Sequence, residues 1–188
     1  MLLDREPQLP CMADELRRRM AEDQYARGIR GAGQNVSADS DLLRIVDEAN
    51  TRALARILET YGWPGITLVG QEAATAAWLI AQHAPLELQL RALPLLAEAA
   101  AHGQAPAWHV AYLSDRILMR QDQPQVYGSQ YCDRDDGQGM RLWPLVDPDR
   151  VDERRTTVGL GPIAEYEAQI RATYAHTPTA PTSSPDAT

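Results

Sequence analysis

The sequence contains no lysine; all 18 of its basic residues are arginine. Chemistry that depends on a side-chain amine is thereby excluded: Schiff-base catalysis, a pyridoxal-phosphate anchor, a phosphate-loop lysine and a kinase lysine. A GC-rich coding sequence, which favours Arg, Ala and Gly codons, accounts for this bias without a functional cause. Two cysteines, Cys11 and Cys132, are too few for a disulfide framework or a metal knuckle. No apolar run approaches the ~20 residues a membrane span needs, and no charged-then-apolar signal segment opens the chain. The four histidines, His83, His102, His109 and His176, show no close ligand spacing. A Gly-x-Ser-x-Gly elbow and a His-Glu-x-x-His zinc helix are both missing. These absences lead us to expect a cytoplasmic protein with reduced thiols, no metal and no cofactor.

Positive charge is also in short supply. Eighteen arginines stand against 26 acidic residues, for a net charge of −8. Nucleic-acid binding needs a cationic surface that releases phosphate counterions, and adhesion to anionic lipid needs the same. Neither partner is expected.

What is present is helical periodicity. Apolar residues at helical spacing predict helices near residues 10–27, 37–60, 70–83, 85–101, 105–121 and 162–174. In the first, Leu16, Met20 and Tyr25 point inward, and Arg17, Arg18, Arg19, Glu22 and Asp23 form a solvated charged face. In the second, capped by Ser37 or Asp39, the inward stripe is Leu43, Val46, Asn50, Ala53 or Leu54, Ile57 and Tyr61. Asn50 therefore sits among apolar neighbours, with Asp47 beside it. Pro94 predicts a kink or break in the fourth helix, whose bulk comes from Leu88, Leu90, Leu93, Leu95 and Leu96. The period then changes. Residues 126–132 and 140–145 read as two strands joined by a loop over 133–139.

The fold class is mainly α, a compact bundle of about five to six helices with a small β-hairpin near the C-terminal third. A single helical domain spans residues 1–175, its core about 37–174, and the Pro/Thr/Ser/Ala-rich segment 176–188 is a disordered tail. At 188 residues the chain is long enough to bury a core without covalent staples.

Polar side chains set into apolar segments mark the candidate site, because an unpaired buried polar group is costly. His83 ends the third helix on an inward face and suits proton transfer near neutral pH. Asp115 is the carboxylate expected to orient it, as in many acid–base sites. Asn50, Gln82, Gln125, Tyr127 and Gln130 are candidates to hold a ligand. Arg116 and Arg155 would supply positive charge to a carboxylate or phosphate. Gly128 marks a bulge or a close approach of the backbone, for example to a ligand. Each feature also has a plainer reading: a capped core histidine, structural ion pairs, a strand bonded to loops.

Taken in order, Tyr61-Gly62-Trp63-Pro64, Val69-Gly70, Gln82-His83-Ala84, Tyr112-Leu113-Ser114-Asp115-Arg116, Gln125-Val126-Tyr127-Gly128-Ser129-Gln130 and Arg154-Arg155…Val158-Gly159-Leu160 resemble a bacterial family of domains of unknown function. The resemblance covers roughly residues 39–166. Ser129 stands where threonine is more usual, which keeps the hydroxyl. The resemblance implies which polar residues matter and carries no activity.

Two readings stay open. In the first, the protein is a small helical enzyme or enzyme-like domain that binds a polar or anionic small molecule, with His83-centred acid/base chemistry. In the second, it is a noncatalytic interaction or scaffold module with a structural polar network, whose aromatics meet a protein partner or a second copy of the chain. A pocket shared by the polar side chains separates the two.

Overall fold

The computed structural model describes residues 6–29, 36–133 and 140–174. These form eight α-helices: α1 Pro10–Ala26, α2 Ser40–Tyr61, α3 Ile66–Val69, α4 Gln71–His83, α5 Leu86–Ala101, α6 Ala107–Arg120, α7 Val151–Thr157 and α8 Ile163–Tyr174. Two short strands, β1 Tyr131–Asp133 and β2 Met140–Leu142, pair antiparallel with Cys132 opposite Arg141. The mainly helical class and the hairpin agree with the sequence. Two further helices are new. The four-residue α3 is too short to show a period, and α7 is built largely of charged and hydroxyl residues with no apolar stripe. The tail 176–188 and most of the hairpin loop lie outside the described residues.

Helix α4 is the centre of the bundle and packs against α1, α2, α3, α5 and α6. Its alanines explain why: Ala73, Ala74, Ala76, Ala77 and Ala81 are all buried and let neighbouring backbones approach closely. Larger side chains fill the remaining space, among them Leu16, Leu54, Ile80, Leu88, Leu96 and Leu113. Helix α2 starts where the Asp39 carboxylate accepts from Leu42 N at 3.0 Å. It stops at Gly62, whose φ of +71° turns the chain into buried Trp63 and Pro64.

Three details of the sequence reading need correcting. Helix α5 is continuous through Pro94, so the break does not occur; Pro94 lies on the exposed side where the freed carbonyl of the preceding turn is tolerated. Tyr25, Tyr61 and Leu90, all expected inside, are about half exposed at 57%, 53% and 46%. Finally, residues 126–130 are not strand. They wind around the side chain of Asp115, leaving only three residues in each strand of the hairpin.

Gly128 sits in that winding with φ +68°, and a Cβ added there would lie 2.3 Å from Ile163 Cδ1 of α8. The close approach inferred from the sequence is thus to a helix side chain. Gly128→Ala is expected to destabilise the fold by about 1–2 kcal/mol through backbone strain and the contact with Ile163. Adding Ile163→Ala should relieve only the contact. A chemical-denaturation cycle of the two variants checks this, and strictly additive losses would show that the contact is immaterial.

Candidate functional site

The polar seam between α1, α2 and α4 holds His83. Its ring is one fifth exposed, and its Nδ1 lies 2.9 Å from Oδ1 of Asp23, which is fully buried. Arg27, one turn after Asp23, approaches the same place: its Nε is 3.0 Å from His83 Nδ1 and 3.2 Å from Asp23 Oδ2. Its Nη2 donates to Asp47 Oδ1 at 2.7 Å, which ties α1 to α2. Burial acts to raise the Asp23 pKa. The hydrogen bond and charge of His83, followed by those of Arg27, outweigh it and hold the carboxyl below its ordinary value. Asp23 is therefore a buried anion with cationic support.

Asp23 Oδ1 only accepts, so the bond to His83 requires the proton on Nδ1. Arg27 Nε–H then turns to Asp23, which it also reaches, and in the neutral form of the ring His83 Nε2 keeps its lone pair. The opposite tautomer would have Nδ1 accept from Arg27 and set its lone pair against Asp23 Oδ1 at 2.9 Å, acceptor facing acceptor, while Asp23 is supplied with donors by Arg27 Nη2 and Gln24 Nε2 in either case. The first arrangement avoids that repulsion. No described residue hydrogen-bonds to Nε2.

Asp115 does not orient His83, as the sequence had suggested; Asp23 takes that part. The Asp115 carboxylate is fully buried and organises the loop that follows α6. Oδ1 accepts from Val126 N at 2.8 Å and Tyr127 N at 3.1 Å. Oδ2 accepts from Ser129 N at 3.0 Å and Ser129 Oγ at 2.9 Å. Four loop donors thus converge on one side chain, leaving it no lone pair for chemistry. The hydroxyl at position 129 has its reason here as well.

Four other expected ligand-holding residues belong to the same loop structure. Gln125 is fully buried; its Nε2 donates to the carbonyls of Gln130 and Trp143, and its Oε1 accepts from Gln130 N. Gln130 Nε2 reaches Ser129 Oγ and the Tyr112 carbonyl. Arg155 is buried; it donates to the carbonyls of Tyr127 and Gly161 and lies 5.3 Å from the centroid of the Tyr166 ring. Tyr127 contributes its backbone to Asp115 and Arg155. These groups face one another and the backbone.

The remaining three expected residues lie elsewhere on the bundle. Arg116 Nε donates to Gln82 Oε1 at 2.6 Å, on the face of α4 turned toward α6, one residue around from His83. Asn50 is buried in the α1–α2 seam, with Oδ1 accepting from Arg19 and Nδ2 unpartnered among the described residues. The expected convergence of all nine residues on a single hollow is not what these contacts describe. Two clefts of about 390 Å³ open elsewhere: one around Tyr61, Trp63 and His102, the other around Met12, Ile57 and Tyr61. Among the described residues no group of three or more His, Cys, Asp or Glu side chains is placed to hold a metal ion. No described helix is long and apolar enough to cross a membrane.

Asp23 was missed because its charge assigned it to solvent, and Arg27 because it stands at the end of the first helix. The signal was present in the spacing. Leu16, Met20, Asp23 and Arg27 fall at intervals of four, three and four, one continuous stripe on the inward face of α1. Asp47 likewise precedes Asn50 by three residues on the stripe of α2.

No curated protein and no solved structure matches the chain. A family model does match, over residues 11–177, a span that takes in both the His83 seam and the loop held by Asp115. The chain therefore belongs to a family of unknown function, DUF6624.

Proposed function

We propose that His83 is the proton-transfer group of a small-molecule site on the α1–α2–α4 seam, with Asp23 as its orienting carboxylate. The observation that carries this is a fully buried, anionic Asp23 set 2.9 Å behind a partly exposed imidazole. With its proton on Nδ1, neutral His83 has the Nε2 lone pair to accept a proton. Taking a proton there creates an imidazolium that the Asp23 charge stabilises. Arg27 keeps Asp23 ionised and, through Asp47, fixes α2 against the pair. Two carboxylates and one guanidinium leave this group net negative while His83 is neutral. A neutral polar ligand therefore suits it better than an anionic one.

The test begins with native mass spectrometry and metabolite profiling of the purified protein. A small molecule should be retained by the native chain and lost from His83→Ala, with the circular dichroism spectrum unchanged. Turnover of that compound should fall by about 10²–10⁴ in Asp23→Asn. Retention of the same compound by His83→Ala would remove the proposal.

The alternative is a noncatalytic interaction module. The specific observation in its favour is that Asp115, Gln125, Gln130 and Arg155 spend their polar atoms on the protein's own backbone. In that reading the His83 group is one more structural network. A protein partner or second copy would then contact the half-buried aromatics near the hairpin, Tyr127, Tyr131 and Trp143.

A further inference from the structure

The Tyr61-Gly62-Trp63-Pro64 motif plays no part in the His83 site, yet it builds the wall of a cleft of about 390 Å³ between the α2–α3 junction and the C-terminal half of α5. The wall is held in place from behind. Gln104 accepts from Thr67 N through Oε1 at 2.8 Å, and its carbonyl accepts from Ile66 N at 2.9 Å. Gly65 packs so closely on Gln104 that a Cβ there would lie 2.7 Å from Gln104 Cβ. The cleft is therefore fixed by the main chain, and a volume of this size is in the range of small-molecule sites.

Its lining is chemically one-sided. Leu68, Leu95 and Ala99 give it apolar surface, and Tyr61 borders it with a ring that is half exposed. Among the described residues of the lining, the only side chain of fixed charge is the carboxylate of Glu98. His102, one turn further along α5, has Nδ1 2.8 Å from the Glu98 carbonyl. A carbonyl only accepts, so Nδ1 carries a proton, and the ring in its neutral form offers the Nε2 lone pair. A carboxylate, an imidazole acceptor and an open aromatic ring, with no guanidinium among the described lining residues, suit a cation and repel an anion.

We propose that this cleft is a second binding site, separate from the His83 seam, for an organic ammonium with an apolar body. The N–H donors of the ligand go to Glu98 and His102, and its apolar part lies along Tyr61, Leu68 and Leu95. Binding involves no covalent change.

Benzylamine is the probe, with benzyl alcohol and benzoate as neutral and anionic counterparts of the same shape. Binding to the full chain is followed by the indole NMR signals, where the resonance of Trp63 reports on this cleft. Benzylamine should saturate with a Kd of order 1 mM, benzyl alcohol should bind at least about tenfold more weakly, and benzoate should not bind. Glu98→Gln and Tyr61→Ala, both at exposed positions, should each weaken the amine, the first by about tenfold. His83→Ala should leave it unchanged, so failure here and failure of the His83 proposal are distinguishable. Equal binding of amine and alcohol, indifference to Glu98→Gln, or no saturable shift of the Trp63 signal would each overturn the assignment.

Discussion

Replacing Asp115 with alanine is expected to destabilise the protein by about 4 kcal/mol, because one substitution leaves several buried donors without an acceptor. Val126 N, Tyr127 N, Ser129 N and Ser129 Oγ all end on this carboxylate. Losing it frees residues 126–129, and the loss spreads. Arg154 and Arg155 hold the same segment from the other side through the carbonyls of Val126 and Tyr127. Asp115→Asn should recover only part of the loss, since its amide nitrogen faces N–H groups. Ser129→Ala removes one donor to Asp115 and the acceptor of Gln130 Nε2, and should lose about 1–2 kcal/mol. Urea denaturation of the three variants gives the ranking. If Asp115→Ala proves no worse than Ser129→Ala, the loop does not depend on the carboxylate.

The second large effect concerns His109. Its ring is 1% exposed, stacks on Trp78 at 4.4 Å between centroids, and has no hydrogen-bond partner for either nitrogen among the described residues. Burial, which disfavours the charged ring, lowers its pKa from 6.5 to about 4. In the unfolded chain the same ring titrates near its ordinary value. Between these values the unfolded state therefore binds the extra proton, and stability falls as pH falls. His109 alone should account for about 3 kcal/mol of loss from pH 7 to pH 4. Asp23 behaves differently. Its carboxyl is held below 3.8, so its stabilising effect is present above that value and fades only in stronger acid. His109→Phe keeps the aromatic stack and removes both unpartnered nitrogens. It should be more stable by about 1–2 kcal/mol at neutral pH and should lose this share of the slope between pH 6.5 and 4. An unchanged acid slope in His109→Phe would show that burial does not hold the ring neutral as described.

The sequence was most legible where local rules act alone. Helix α8 begins one residue later than its periodicity predicts, and α2 is capped by one of the two residues singled out for it. Legibility failed where a distant group decides the conformation. Residues 126–130 alternate like a strand, but Asp115, more than ten residues earlier, takes their N–H groups and winds them into a loop. The same failure hid Asp23. A carboxylate in a run of charged residues reads as solvated until His83, sixty residues away, is found against it. His83 itself was legible, as a polar residue on an inward helical face. Its partner was assigned to the wrong helix because residue type alone says nothing about which bundle neighbour a side chain meets.

The state of the His83 ring offers the most direct measurement. In ¹⁵N-resolved NMR of the histidine side chains, His83 should carry its proton on Nδ1 at neutral pH, with that proton's resonance shifted by the bond to Asp23. Asp23→Asn should remove the shift while the rest of the spectrum stays folded. A ring protonated on Nε2, or one whose signals ignore Asp23→Asn, would contradict the account.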